Sequence, residues 1–182
     1  MADTQSDVDQ VAARWLAEEV ASRAKLIETG IASPDQLASF AGVPFFAGIR
    51  EGKLPPPPFA ETFNCIAIRV DHGDVVFQGR PDRRFYNPMG QVHGGWFATL
   101  LDTAVGCAVH STLPVGKGYT TLELKVNMVR ALTDRVPVVR AEGRIVHAGR
   151  QVATAEGRIV GPDGKLYAHA TTTCMIFDHP SH

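Results

Sequence analysis

Residues 87–108 read NPMGQVHGGWFATLLDTAVGCA, and the fold turns on how this stretch is read. Its apolar positions recur at helical rather than strand spacing, which predicts a helix starting near Gly94 or Gly95 and running to about His110. On that helix Trp96, Phe97, Leu100, Leu101, Ala104, Cys107 and Ala108 spread around much of the circumference. A helix apolar on most sides has to be covered on most sides. Asp102 breaks the pattern. It shares a face with Gly95, Ala98, Thr99 and Gly106, at steps of three, four and seven, and each of these neighbours is small.

The flanking sequence supplies the cover. TFNCIAIRV (62–70) and DVVFQGR (74–80) read as strands joined at Asp71-His72-Gly73. After the helix, residues 119–129, 136–147, 151–161 and 165–177 alternate or are rich in β-branched residues. The last three are separated by His-Ala-Gly-Arg and Gly-Pro-Asp-Gly, both hairpin signals. One helix among about six strands can be apolar nearly all round only if the sheet wraps it. The expected class is therefore α+β, a curved antiparallel sheet around a long central helix. AEGRIV occurs at 141–146 and again at 155–160. Two copies do not make a solenoid; chance likeness of neighbouring antiparallel strands is the default account.

Ahead of this domain, placed at 59–178, lies a segment of different character. Residues 1–50 read as a helical extension, with a helix over 7–29 capped by Asp7 and ended by Gly30. A second short helix starts at Ser33-Pro34-Asp35. Packing or subunit contact is the expected role of both. EGKLPPPP (51–58) reads as a stiff proline-rich linker, since four prolines in a row favour polyproline II.

Composition narrows the function classes. The 18 Lys and Arg nearly balance 19 Asp and Glu, so no overall field recruits nucleic acid or an anionic membrane. Three widely spaced cysteines in apolar stretches read as buried thiols of a reducing compartment. The acidic N-terminus is unlike a signal peptide, and no apolar run approaches membrane-spanning length. A cytoplasmic protein with neither nucleic-acid nor membrane partner is the expectation. Seven histidines without ligand spacing give no metal site, and Gly116-Lys117-Gly118 is a loop rather than a phosphate-binding loop. A G-x-S-x-G nucleophile elbow is absent.

A carboxylate in mid-helix has structural explanations: a solvated face, a distant arginine, or a local backbone bond. The helix start favours chemistry. Unpaired N–H groups and the positive dipole end meet there, and glycines let a ligand approach the backbone. That geometry suits a developing oxyanion. Asn87 can add a side-chain N–H, and His93 can orient or donate. Gly94 to Asp102 is eight residues, roughly 12 Å along a helix. A base and an oxyanion donor must each lie about 3 Å from the same reacting group. One chain cannot supply both, so two antiparallel copies of the helix must meet, making an isologous dimer with two shared sites.

N-P-x-G-x-V-H-G-G, then L-L-D-x-A, then T-T-L-E-L-K-V-N-x-x-R resembles the hotdog-fold acyl-CoA thioesterases of the phenylacetate-degradation (PaaI-like) type, over roughly residues 59–177. The resemblance implies a hotdog fold assembled as a dimer or dimer of dimers. It implies hydrolysis of an acyl- or aryl-CoA thioester with no further cofactor. By the same likeness the Gly94 N–H and Asn87 polarise the thioester carbonyl, and Asp102 of the partner subunit acts as general base or nucleophile. Thr121, rather than the adjacent Thr120, helps hold the water. Gly95, Arg130, Gly149 and Arg150 are the positions it suggests for coenzyme A. Arg130-Ala131 departs from the Arg-Pro of many relatives, and the N-terminal segment lies outside the shared region. Two competing readings keep the fold. One is a non-catalytic acyl-CoA-binding module, which would lack the carboxylate; the other is an enoyl-CoA hydratase, whose Asp and His spacing differs. Trp96 and Phe97 read equally as acyl-pocket lining and as core.

Overall fold

The computed structural model describes residues 2–178, the side chains of residues 2–4 and of Ala38 excepted. Helices α1 (Ala2–Arg23), α2 (Pro34–Ser39), α3 (Gly42–Arg50) and α4 (Pro58–Thr62) come first. Strands β1 (Cys65–Asp71) and β2 (Asp74–Gly79) follow, then helix α5 (Gly94–His110). Strands β3 (Lys117–Met128), β4 (Val139–Ala148), β5 (Val152–Val160) and β6 (Leu166–Asp178) complete the described residues. All six strands form one antiparallel sheet in the order β1-β2-β4-β5-β6-β3. The sheet curves around α5, as the hydrophobicity of that helix requires.

The seat of α5 explains the AEGRIV echo. The two copies pair antiparallel about Gly143 opposite Gly157. On the outer face Glu142 lies opposite Arg158 and Arg144 opposite Glu156, so the charges complement across the strands. On the inner face the two glycines lie under the helix. A Cβ at Gly143 would sit 2.3 Å from the Ala104 carbonyl oxygen, and one at Gly157 would sit 2.6 Å from Val105 Cγ1. Ala104 and Val105 are wholly buried against this floor. The repeat is thus one structural device used twice, rather than chance.

Three expectations along the chain are corrected. Helix α1 starts before Asp7, because no glycine or proline interrupts residues 2–6, and it stops at Arg23 rather than Gly30. Gly30 instead donates its N–H to the Pro56 carbonyl, which holds the preceding segment extended against the prolines. The first strand does not begin at residue 62: the prolines start the helical turn of α4, and Asn64 leaves it at φ 52°, so pairing begins at Cys65. The fourth strand starts at Val139 instead of residue 136.

The start at Ser33 is a full capping box, with the Ser33 side chain on the Gln36 N–H and the Gln36 side chain on the Ser33 N–H. The proline-rich segment is packed in place, with Leu54 and Pro56 buried. Helix α1 is tied to the sheet through Gln78, whose amide donates to the Trp15 carbonyl and to Glu19 and accepts from Arg140 Nε at 3.1 Å. The Arg140 guanidinium also lies 4.4 Å from the Trp15 ring centre.

Candidate active site

Asp102 lies mid-way along α5, half-buried, on the small-residue face. Its partner comes from β3: the Thr121 hydroxyl donates to Asp102 Oδ1 at 3.0 Å. Thr120 points the other way on the strand and is exposed. The β3–β6 register shifts between Thr121 and Glu123, leaving Leu122 as an extra, exposed residue. Bulges of this kind re-aim side chains beside functional sites. Asp102 is therefore held by one oxygen, while Oδ2 has no hydrogen-bond partner among the described residues.

The start of α5 is equally specific. His93 is the N-cap, and its Nδ1 accepts the Gly95 N–H at 2.9 Å. This makes His93 a capping and orienting residue, with its remaining proton on Nε2 in the neutral form. It also consumes the Gly95 donor, so the backbone of Gly95 is not open to a ligand. The Trp96 N–H is bonded to the His93 carbonyl. Gly94 is left as the open N–H of this turn among the described residues.

Asn87 stands in the tight turn just upstream, closed by its own N–H to the Gln91 carbonyl and by Gly90 at φ 77°. Its side-chain oxygen accepts from the Met89 and Gln91 N–H groups. That fixes the amide so that only its NH₂ end is free to donate outward. His93 N–H bonds the Phe85 carbonyl, tying this turn alongside the helix start. Asn87 and Gly94 thus lie at one end of α5, with Asp102 about two turns along.

The remaining expected residues fall at two ends of the sheet. Thr121 pairs with Cys174, and Cys174 with Ala153, close to the β4–β5 turn that carries Gly149 and exposed Arg150. Arg130 lies past the other end of β3, beyond Met128, which reaches Gly94. Its Nε donates to the Leu166 carbonyl at 3.3 Å. One chain does not bring Arg130 and Arg150 together. Trp96 and Phe97 resolve as core: Trp96 Nε1 donates to the Phe63 carbonyl at 3.1 Å, and its ring stacks on Phe85.

Burial pushes the Cys107 thiol well up and raises that of Cys174, where bonds to Thr172 and Thr121 pull the other way; the Asp102 charge adds to the rise in both. Sequence reading missed the aromatic group around His110, where Phe45 and Phe46 approach at 4.9 and 5.1 Å. Only the paired phenylalanines of GVPFFAGIR could have signalled it.

A long helix wrapped by a six-stranded antiparallel sheet is the hotdog fold. Residues 89–168 match the thioesterase superfamily. A Ralstonia eutropha structure, described as a phenylacetic acid degradation-related protein of thioesterase type, is 32% identical. It superimposes with a TM-score of 0.66 over 71% of this chain and 98% of its own. The Escherichia coli PaaI protein of the phenylacetic acid degradation operon, 21% identical, shares the fold with a TM-score of 0.59 over 65% of this chain and 83% of that one. A curated Halobacterium salinarum protein, provisionally named an esterase, is 42% identical over 89 residues, 47% of this chain. This chain spans 56% of that relative's length. The chain belongs to the thioesterase superfamily. Among the described residues, no helix is long and apolar enough to cross a membrane.

Proposed function

We propose that the protein hydrolyses acyl-CoA thioesters at two sites shared across an isologous dimer, with Asp102 of one subunit as general base and Gly94 and Asn87 of the other as oxyanion donors. The observation that carries this reading is the division of the site along α5. Asp102 is held by Thr121 with one oxygen open, and the open Gly94 N–H lies roughly 12 Å away on the same rigid helix. The face between them is made of small residues. Strand β3, 12 residues long, is an edge of the sheet with one side unpaired, and Leu122 and Met128 on it and Val129 just after it are exposed. An edge of this length and apolarity calls for a partner strand.

Asp102 Oδ2 takes a proton from water as the oxygen attacks the thioester carbon. The tetrahedral oxyanion rests against the partner's Gly94 N–H and Asn87 NH₂. Collapse breaks the C–S bond, and the proton held by Asp102 passes to the departing thiolate, giving the free acid and the coenzyme thiol. Arg130 of one subunit and the Gly149-Arg150 turn of the other lie at opposite ends of β3, so the same two-fold would bring them toward one site for the coenzyme phosphates. The partner of Asp102 is a threonine rather than a histidine, which favours hydrolysis over hydration of an enoyl thioester. Asp102→Asn should fold normally and lose about 10²-fold or more in turnover, followed by free-thiol release. A variant hydrolysing acyl-CoA at the wild-type rate would make Asp102 structural.

A further inference from the structure

A cavity of about 760 Å³ is built mostly from residues outside the 89–168 stretch that matches the family. Its floor is α5, through Thr103, Cys107 and His110. Its walls come from the N-terminal segments: Leu26 after α1, Leu37 of α2, Phe45 and Ile49 of α3, and Phe59 and Ala60 of α4. The prolines Pro55–Pro57 close one side. Ile27, Ile31 and Phe59 are exposed apolar side chains at its rim. Its size and its mainly apolar lining match those of small-molecule sites.

Its position says which molecule. Thr103 directly follows Asp102, and Cys107 stands one turn further on, close enough to feel the Asp102 charge. The Thr103 hydroxyl is spent on the Thr99 carbonyl at 2.9 Å, which leaves no free hydrogen from that hydroxyl at this end of the cavity. From Asp102 to His110 the helix runs eight residues, roughly 12 Å. An extended chain advances about 3.3–3.6 Å for every three bonds, so that length takes about ten bonds.

We infer that the N-terminal extension and the proline-rich segment form the acyl pocket, and that the preferred substrate carries a medium-length apolar acyl chain of about ten carbons laid along α5 from Asp102 toward His110. This rests on the catalytic reading above. The extension, which the family core lacks, is then a specificity element rather than mere packing.

The test is a chain-length series. With acetyl-, butanoyl-, octanoyl-, decanoyl- and tetradecanoyl-CoA, kcat/KM should rise about threefold to fourfold per methylene and level off near decanoyl. Ala60→Phe, which fills the cavity from α4, should cut decanoyl-CoA turnover by about tenfold while leaving butanoyl-CoA within about twofold. Binding of the same series to Asp102→Asn, measured by calorimetry, separates the two readings. Affinity that rises with chain length but no turnover in the wild type upholds the pocket and rejects the catalytic assignment. Turnover and affinity that ignore chain length, or an Ala60→Phe loss equal for all substrates, overturn the pocket.

Discussion

Replacing Gly94 by proline deletes one N–H from the start of α5 and little else. Proline is well accommodated at the first position of a helix, where its missing N–H has no intrahelical role. The residue before it must be extended, and His93 already is, at φ −62° and ψ 140°. The new Cβ would meet Met128 Sδ at 2.8 Å and Cε at 2.9 Å, the flexible end of a half-exposed side chain that can move away. The melting temperature should therefore stay within a few degrees of wild type. Catalysis should not survive as well. Loss of one oxyanion donor costs about 10²–10³-fold in kcat, or about 3–4 kcal/mol of transition-state stabilisation. Gly94→Ala is the matched control, since it brings the same Cβ against Met128 and keeps the N–H. Steady-state thiol release from decanoyl-CoA, run on both variants, isolates the proton itself. If Gly94→Pro turns over as fast as Gly94→Ala, the open N–H is not the oxyanion donor.

Two further outcomes follow from the packing. Gly143→Ala would drive a Cβ to 2.3 Å from the Ala104 oxygen and 2.5 Å from its carbonyl carbon, both helix backbone that cannot turn aside. Urea denaturation should show a loss near the upper end of the overpacking range, about 3 kcal/mol, and a loss under about 1 kcal/mol would mean that α5 is not seated on the glycine pair. Burial pushes the Cys65 thiol up to about 11, with Arg23 pulling slightly the other way. In the unfolded chain the thiol titrates near 8.5, so between the two values only the unfolded state loses its proton, and stability falls as pH rises. Between about pH 8 and pH 10.5 the wild type should lose about 2 kcal/mol more than Cys65→Ala, and equal losses would show that this thiol is not protected.

The central helix was the most legible part of the chain. His-Gly-Gly and the apolar run bound it at Gly94 and His110, because capping and one-sided glycine chemistry are local and leave their mark in sequence. The strands were legible to within a few residues for the same reason. The segment 42–50 was not, since GVPFFAGIR carries a proline and is apolar without a clear face; it folds as α3 against β1 and shares the cavity wall. Of the candidate site, Asp102, Gly94 and Asn87 could be proposed from residue types and helix geometry. Thr121 could not: its bond to Asp102 spans 19 residues and depends on how β3 lies beside α5, so only family likeness pointed to it. The capping use of His93 Nδ1, which singles out Gly94 over Gly95, likewise required coordinates. The anchoring of α1 through Gln78 had one visible trace, a lone amide in the strand DVVFQG.

The division of one site between two subunits can be measured by mixing two dead proteins. Asp102→Asn and Gly94→Pro, refolded together in equal amounts, should give half heterodimers. Each of those would carry one doubly defective and one intact site, so about a quarter of wild-type activity should return. If instead each chain holds its own complete site, every site in the mixture keeps one lesion, and no activity above the separate variants will appear.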